Sequence, residues 1–260
     1  MDEEVRIEDK SGEPGATDNP DDAQRLREDH RVRTAPAGCL SFIVRQDMSM
    51  RVRLLFDLDG TISDPAVGVA RSINHALVHF GHAARREKDL HVYIGPPLDE
   101  AFPLLAGISS EDEVARYIAK YRERYFSVGY RENTLYSGIV DAFTALSSAG
   151  ILMAVCTSKP VGIAERVLEM FDVRRFFQFV DGGDVGVKKW QQIQRLREKG
   201  WVDASTVMIG DRAVDIEAAH RNGLHGAGVL WGHGSREEIE AAGPEHLLSA
   251  PEDLKKIFLN

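Results

Sequence analysis

Five apolar runs that end in small or polar residues divide most of the chain into regular segments. They lie at 51–61, 151–159, 176–184, 205–211 and 226–231. Short apolar runs bounded by glycine, proline or acids are typical of buried strands. The stretches between the later runs repeat apolar residues every three or four positions, and several end at a glycine, which is typical of helices. This alternation predicts an α/β fold, a Rossmann-like doubly wound parallel sheet with its ligand site at the carboxyl ends of the strands.

Residues 65–136 break the alternation of strand and helix. Three stretches there have helical spacing with no strand pattern between them, at 67–81, 98–107 and 111–126. We therefore expect a small helical cap domain, inserted into the α/β fold at 65–136.

The rest of the chain after the first residues forms the expected catalytic core, 50–64 and 137–260. The crossings near 63–65 and 136–138 would act as hinges, so that the cap serves as a lid over the site. A packed accessory subdomain that never moves is the alternative.

Composition and charge narrow the classes of protein to which the chain can belong. Its 260 residues are 43% hydrophobic and 28% charged, with a formal net charge of -9. This is ordinary for a globular protein and disfavours generic binding to nucleic acid or to anionic membranes. The chain opens with acids where a secretory signal would carry bases. We expect a cytoplasmic monomer or homodimer that acts on a small molecule.

The first 49 residues differ from the rest in composition. Residues 1–38 contain 11 acidic and 6 basic residues and almost no bulky apolar ones. Such a stretch cannot bury enough apolar surface to offset its conformational entropy, so we expect 1–49 to be an acidic, disordered extension. Met48 and Met50 stand just before the first strand, and we hypothesise that the start used in cells lies at one of them, downstream of Met1.

Acidic residues follow two of the predicted strands. Asp57 and Asp59 lie at the end of the first apolar run. Asp211 and Asp215 lie at the end of the fourth run and just beyond it. Because parallel strands end at the same edge of a sheet, these carboxylates converge and could not all stay ionised without a counter-charge. Mg²⁺ prefers oxygen ligands and often binds a substrate phosphate as well, so the sequence predicts a Mg²⁺ site for a phosphorylated metabolite.

Groups suited to binding phosphate follow the other strand ends. Thr157 and Ser158 follow the second run. The adjacent lysines Lys188 and Lys189 lie beyond the third. A hydroxyl group can donate to a phosphoryl oxygen and an ammonium group can neutralise its charge. Gly60 permits close approach of the backbone to the same group.

With these motifs the sequence resembles the haloacid dehalogenase superfamily of phosphohydrolases. The four motifs of that superfamily are matched in order by DLDGT, VCTSK, GVKKW and GDRAVD. The resemblance covers about residues 51–255, and the helical insertion after DLDGT is similar to the C1-type cap of the subgroup that includes phosphoglycolate phosphatase. It implies an α/β core with a helical cap and the hydrolysis of a phosphomonoester.

The resemblance also implies a role for each acidic residue of the motifs. Asp57 would be the nucleophile that forms an aspartyl phosphate, and Asp59 the general acid and base. Asp57, the main-chain carbonyl of Asp59 and Asp211 would hold Mg²⁺, with Asp215 as a further ligand or a residue behind one. Asp59 also argues against dehalogenation, because true dehalogenases lack this second aspartate.

Thr157 and one lysine of the third motif would bind the phosphate. Lys188 and Lys189 both fit the position. The helical phase in which Ile193 and Leu196 face inward favours Lys188, which would then be the catalytic lysine.

Three further basic residues are candidates for binding a second anionic group of the substrate. Lys159 and Arg212 directly follow motif positions, and Arg71 lies on the first predicted cap helix. A surface ion pair is the alternative for Lys159 and Arg212.

The resemblance therefore predicts an enzyme that hydrolyses small phosphoric monoesters, most like phosphoglycolate phosphatase. A 5'-nucleotidase, and a sugar-phosphate phosphatase or phosphomutase, are alternatives on the same chemistry. A non-catalytic binding module on the same fold is the alternative from another class of protein.

Overall fold

The computed structural model of the chain describes residues 52–183 and 186–259. The expected acidic extension at 1–49, with Met48 and Met50, lies outside the described residues. Cys156 is a buried free thiol.

Eight strands are present in the described residues. In chain order they are β1 (Arg53–Phe56), β2 (Ser63–Asp64), β3 (Thr134–Leu135), β4 (Leu152–Thr157), β5 (Phe177–Gly182), β6 (Thr206–Gly210), β7 (His225–Val229) and β8 (His246–Leu248). Six of them form one parallel sheet in the spatial order β5-β4-β1-β6-β7-β8. The predicted fold class and the five predicted strands are confirmed. The hydrophobic pattern does not show β2, β3 and β8, because two or three residues are too few to form a strand pattern.

The order of the strands reverses at β1. After β1 the chain adds β4 and β5 on one side, and it then returns to place β6, β7 and β8 on the other. In sheets of this kind a ligand binds outside the carboxyl ends of the strands, where the order reverses. The ends of β1, β4 and β6 therefore mark the edge at which a site is expected.

The described residues also contain nine α-helices. In chain order they are α1 (Ala66–His79), α2 (Leu98–Ala106), α3 (Glu111–Ser127), α4 (Ile139–Ser148), α5 (Val161–Met170), α6 (Lys189–Glu198), α7 (Ala213–Arg221), α8 (Arg236–Ala241) and α9 (Asp253–Phe258). Short 3₁₀ helices lie at Glu87–Tyr93, Gly129–Glu132 and Arg174–Phe176. No helix in 52–183 or 186–259 has the length and apolar character needed to cross a membrane.

The two faces of β1 contribute to different apolar clusters. Leu54 and Phe56 belong to one cluster, whereas Leu55 belongs to a second, because successive side chains of a strand point to opposite faces. The second cluster includes Ile193 of α6 and Ala219 of α7. These two helices therefore pack on the Leu55 face.

Three helices, α1, α2 and α3, lie between β2 and β3 along the chain. We call residues 65–136 the cap, and its division from the core remains a prediction from the sequence. The strands β2 and β3 pair antiparallel at the two crossings, with Ser63 opposite Leu135. Apolar side chains of the cap, such as Phe102, belong to the same buried cluster as Leu54 of the sheet.

The aromatic contacts of Phe143 should make it a major contributor to stability. Its ring, on α4, lies 5.1 Å from that of Phe56 and 5.2 Å from that of Phe177, and the residue is fully buried. We expect Phe143→Ala to lower the free energy of unfolding by about 3–5 kcal/mol, because it removes these contacts and leaves a cavity.

Urea denaturation followed by circular dichroism measures this loss. Leu104→Ala is the matched control, because Leu104 is 76% exposed on α2 and its truncation should cost less than about 0.5 kcal/mol. An equal loss in both variants would show that the core is not organised around Phe143.

Candidate active site

Three carboxylates meet at the carboxyl ends of β1 and β6. Asp57 directly follows β1, Asp211 directly follows β6, and Asp215 lies in the first turn of α7. One ligand oxygen from each residue lies within 4.8 Å of those from the other two. Because β1 and β6 are hydrogen-bonded neighbours, residues far apart in the chain come together here.

Burial sets the electrostatics of this carboxylate cluster. Asp211 is 1% exposed and Asp215 is fully buried. Burial raises the pKa of Asp211 to about 7, and the nearby carboxylates of Asp215 and Asp57 add to the rise. Burial also raises the pKa of Asp215 to about 6, against the lowering effect of Lys189. Both shifts show that the ionised cluster needs nearby positive charge.

Lys189 supplies part of that charge. Its Nζ lies 3.1 Å from Oδ2 of Asp57 and forms a second ion pair with Asp215. Its side chain is 2% exposed. The two carboxylates raise the pKa of this lysine although burial opposes them, so the ammonium form is stabilised.

The position of Lys189 corrects the choice of Lys188 made from the sequence. Lys188 is exposed, and its ammonium group lies 3.5 Å from Glu100 of the cap. Lys189 begins α6 and shares its buried face with Ile193 and Leu196, at a spacing of four and seven residues. The helical phase with Ile193 and Leu196 inward therefore places Lys189 inward and turns Lys188 outward, because one residue turns the helix by about 100°.

The carboxylate of Asp59 lies apart from the cluster. Its Oδ2 is 2.7 Å from Nζ of Lys159. Burial raises the pKa of Asp59, and the ion pair with Lys159 works against that rise. The prediction that the main-chain carbonyl of Asp59 is a metal ligand stays a prediction.

The donor set of the carboxylate cluster fits a hard divalent cation. Asp57, Asp211 and Asp215 each offer an oxygen ligand within 4.8 Å of the other two, and Lys189 neutralises only one of their three charges. Oxygen ligands in this number, with room for a substrate phosphate, are what Mg²⁺ and similar ions bind.

Glycine at position 60 makes room for the cluster. Gly60 has a φ of +80°, and a Cβ atom there would lie 2.0 Å from Oδ2 of Asp211. Any side chain at this position would displace the carboxylate. The sequence assigns Gly60 to phosphate binding, and this stays a prediction.

The loop after β7 holds Asp211 in place, and sequence analysis did not assign it a role. The main-chain N–H of His233 donates to Oδ2 of Asp211 at 2.8 Å. The hydroxyl of Thr61 donates to the other carboxylate oxygen at 3.4 Å, and the indole of Trp231 donates to the carbonyl of Thr61 at 3.0 Å. The glycine at position 232 is the feature of the sequence that could have indicated this contact. A Cβ atom there would lie 2.3 Å from the Cβ of Asp211, so a larger residue would not fit.

A cavity of about 190 Å³ adjoins the cluster. It brings together most of the site residues expected from the sequence, namely Asp57, Asp59, Thr157, Ser158, Lys159, Lys188, Lys189 and Arg212. The cap contributes aromatic walls, among them Tyr93, Tyr121 and Phe126. The cavity is thus polar at the sheet edge and largely apolar on the cap side.

Two of the candidates for a second anionic group contact protein groups instead. Lys159 forms a buried ion pair with Asp59, so the surface ion pair considered from the sequence is wrong for this residue. Arg212 lies 2.8 Å from Glu238 and donates to the carbonyl of Ile94, in the cap, at 2.7 Å.

The third candidate, Arg71, lies away from the site. Its guanidinium is 2.9 Å from Glu87 and 3.0 Å from Glu132. It is not among the residues that line the cavity. The expectation that Arg71 contacts the substrate is corrected, because its position on α1 directs its guanidinium to Glu87 and Glu132 of the cap.

Comparison with known proteins gives a family for this chain. The model of the haloacid dehalogenase-like hydrolase family matches residues 54–229. The matched segment runs from β1 through the end of β7 and contains the four motifs.

Several relatives match over most of this chain. A 5'-nucleotidase from Pseudomonas aeruginosa is 32% identical over 218 residues, 82% of this chain and 98% of the relative. A phosphoglycolate phosphatase from Vibrio parahaemolyticus is 29% identical over 226 residues, 83% of this chain and 98% of the relative. The tyrosine-protein kinase PtkA of Mycobacterium tuberculosis is 35% identical over 193 residues, 72% of this chain and 65% of the relative.

A solved structure is also similar to most of this chain. The crystal structure of a predicted phosphatase from Clostridium acetobutylicum has a TM-score of 0.76 and 30% identity, and the match covers 80% of this chain and 98% of that one. The motif residues, their placement at neighbouring strand ends and these matches confirm the resemblance and the enzyme class. The chain belongs to the haloacid dehalogenase-like hydrolases and is a phosphatase of that family.

Proposed function

We propose that this phosphatase uses Mg²⁺ to hydrolyse a small phosphomonoester through an aspartyl phosphate formed on Asp57. The observation that carries the proposal is the environment of the Asp57 carboxylate. Its Oδ2 lies 3.1 Å from Nζ of Lys189, whereas its buried Oδ1 has no hydrogen-bond partner among the described residues. A buried carboxylate oxygen without a partner needs positive charge beside it, which a bound cation would supply. The ion pair with Lys189 favours the ionised carboxylate, the form that attacks a phosphoryl group.

Asp57, Asp211 and Asp215 would hold the cation, with the main-chain carbonyl of Asp59 as a further ligand. When bound, Mg²⁺ would supply positive charge that stabilises the phosphoryl oxygens in the transition state. Lys189 contributes charge to the same oxygens from the protein side.

In the first half of the reaction the Asp57 carboxylate attacks phosphorus, and the bond between phosphorus and the ester oxygen breaks. Asp59 donates a proton to the departing oxygen, which leaves as an alcohol. Because burial raises the pKa of Asp59, its carboxyl group holds a proton at a higher pH than an exposed aspartate does.

In the second half a water molecule attacks the phosphorus of the aspartyl phosphate. Asp59, now ionised, accepts a proton from that water, and the Asp57 carboxylate is released with inorganic phosphate. The hydroxyl groups of Thr157 and Ser158, which line the cavity, would donate to phosphoryl oxygens in both halves.

Phosphoglycolate is our first candidate for the substrate, on the resemblance of the motifs and cap to that subgroup. A nucleoside 5'-monophosphate is the second candidate. It is favoured by Tyr93, Tyr121 and Phe126, which line the cap side of the cavity and offer aromatic surface to a base. A cytoplasmic location and a monomeric or homodimeric state remain predictions from the sequence.

Phosphate release from phosphoglycolate, nucleoside 5'-monophosphates, sugar phosphates and p-nitrophenyl phosphate, with and without Mg²⁺, tests the proposal. Asp57→Asn should lower kcat at least about 10³-fold, because it removes the attacking carboxylate. Asp141→Asn removes an exposed acid of α4 and should leave kcat unchanged. Equal turnover by Asp57→Asn and the wild type would overturn the covalent mechanism.

The two adjacent lysines should differ sharply in importance. Lys189→Met should lower kcat by at least about 100-fold, because it removes buried charge that faces the reacting phosphoryl group. Lys188→Met loses only an exposed ion pair with Glu100 and should change kcat by less than about threefold. The assay uses p-nitrophenyl phosphate, and circular dichroism checks that both variants fold. A larger loss in the Lys188 variant would restore the choice made from the sequence.

Cation binding should weaken as the pH falls. The pKa of Asp211 is raised to about 7 and that of Asp215 to about 6, so below these values protons occupy the oxygens that the cation needs. The dissociation constant for Mg²⁺ should therefore rise by roughly tenfold per pH unit between about 7 and 6, where one proton must be displaced, and more steeply below 6, where two must be. Isothermal titration calorimetry at pH 5, 6 and 8 measures this, and a constant that does not change with pH would contradict the assignment of these ligands.

A further inference from the structure

The ammonium group of Lys159 connects the core to the cap. Its Nζ lies 2.7 Å from Oδ2 of Asp59, in the loop after β1. It also donates to the hydroxyl of Tyr125, on α3 of the cap, at 2.6 Å. The Lys159 side chain is 5% exposed, so both contacts are shielded from solvent.

The backbone of Lys159 is fixed by the core. Its main-chain N–H donates to the hydroxyl of Thr157 at 3.3 Å, and its carbonyl accepts from the N–H of Gly183 at 3.1 Å. With its main chain held in this way, only the side chain of Lys159 can move. Its end is held by Asp59 and by Tyr125.

Tyr125 is itself tied to the crossings between core and cap. Asn133, directly before β3, donates to the Tyr125 hydroxyl at 3.4 Å. The hydroxyl of Ser63, in β2, donates to Oδ1 of Asn133 at 3.1 Å. A continuous chain of polar contacts thus runs from Asp59 through Lys159 and Tyr125 to the paired strands at which the cap begins and ends.

We propose that Lys159 is a positioning residue that orients the Asp59 carboxyl group for proton donation. In this arrangement the hydroxyl of Tyr125, in the cap, holds the ammonium group of Lys159 in place. The inference rests on the proposed function of the same site, in which Asp59 is the general acid. Separation of the cap from the core would break the contact with Tyr125 and free the lysine side chain. Proton donation is thereby linked to the closed arrangement of cap and core.

The chemistry of the leaving group makes this linkage measurable. An alkoxide is a strong base and must receive the proton of Asp59 as its bond to phosphorus breaks. The p-nitrophenolate ion is a weak base and can leave without that proton. A defect in the orientation of Asp59 therefore slows the hydrolysis of alkyl phosphates much more than that of p-nitrophenyl phosphate.

Tyr125→Phe is the variant of choice, because it removes the hydroxyl and keeps the buried ring. We expect kcat for the best alkyl phosphate of the substrate panel to fall about tenfold or more, and kcat for p-nitrophenyl phosphate to fall less than about threefold. Tyr117→Phe is the matched control. It removes a hydroxyl of the same helix that is 2.8 Å from His82, and it should leave both values unchanged.

Lys159→Met should show the same contrast between substrates, with a larger loss for the alkyl phosphate. The double variant should be no slower than Lys159→Met, because both changes act through one contact. Circular dichroism checks the folding of each variant.

Equal losses for both substrates in Tyr125→Phe, or no loss for either, would overturn the positioning role. A wild-type enzyme that hydrolyses neither substrate would instead overturn the proposed function, and the inference with it.

Discussion

Three buried carboxylates meet at the ends of β1 and β6, one buried ammonium group pairs with two of them, and the rest of the site depends on this charge balance. Burial alone favours the protonated acids, as the raised pKa values of Asp211 and Asp215 show. Lys189 offsets part of the cost through ion pairs with Asp57 and Asp215. Removing one of these charged side chains would leave an uncompensated buried charge. The end of β1 and the start of α6 must therefore keep their relative positions, so that Lys189 stays beside Asp57.

The insertion point of the cap follows from the same strand end. The chain leaves the core at β2, a few residues after Asp57, and returns through β3. The cap is therefore anchored beside the carboxylates, and its aromatic side chains form one wall of the cavity.

The fold and the convergence of the acidic residues could be predicted from the sequence, because both follow from local sequence patterns. Apolar runs set the strands, and carboxylates at the ends of neighbouring parallel strands must converge. The roles of the lysine of the third motif and of the candidates for binding a second anionic group were harder to predict, because these roles depend on the direction of each side chain. Lys188 and Lys189 differ by one helical step, and Arg71 is turned toward acids of its own cap. Periodicity places a residue on an element, but packing decides which partner its charge meets.

The basic residues considered for substrate binding show how the cap could control selection. Lys159 contacts Tyr125 and Arg212 contacts the carbonyl of Ile94, so each joins a catalytic loop to the cap. A substrate group that competed for either cation would weaken the contacts that hold the cap in place. A group that fits the aromatic side of the cavity would leave both contacts intact. Under the proposed mechanism, in which Asp59 is the general acid, the cap would therefore link the choice of leaving group to the orientation of the acid that protonates it.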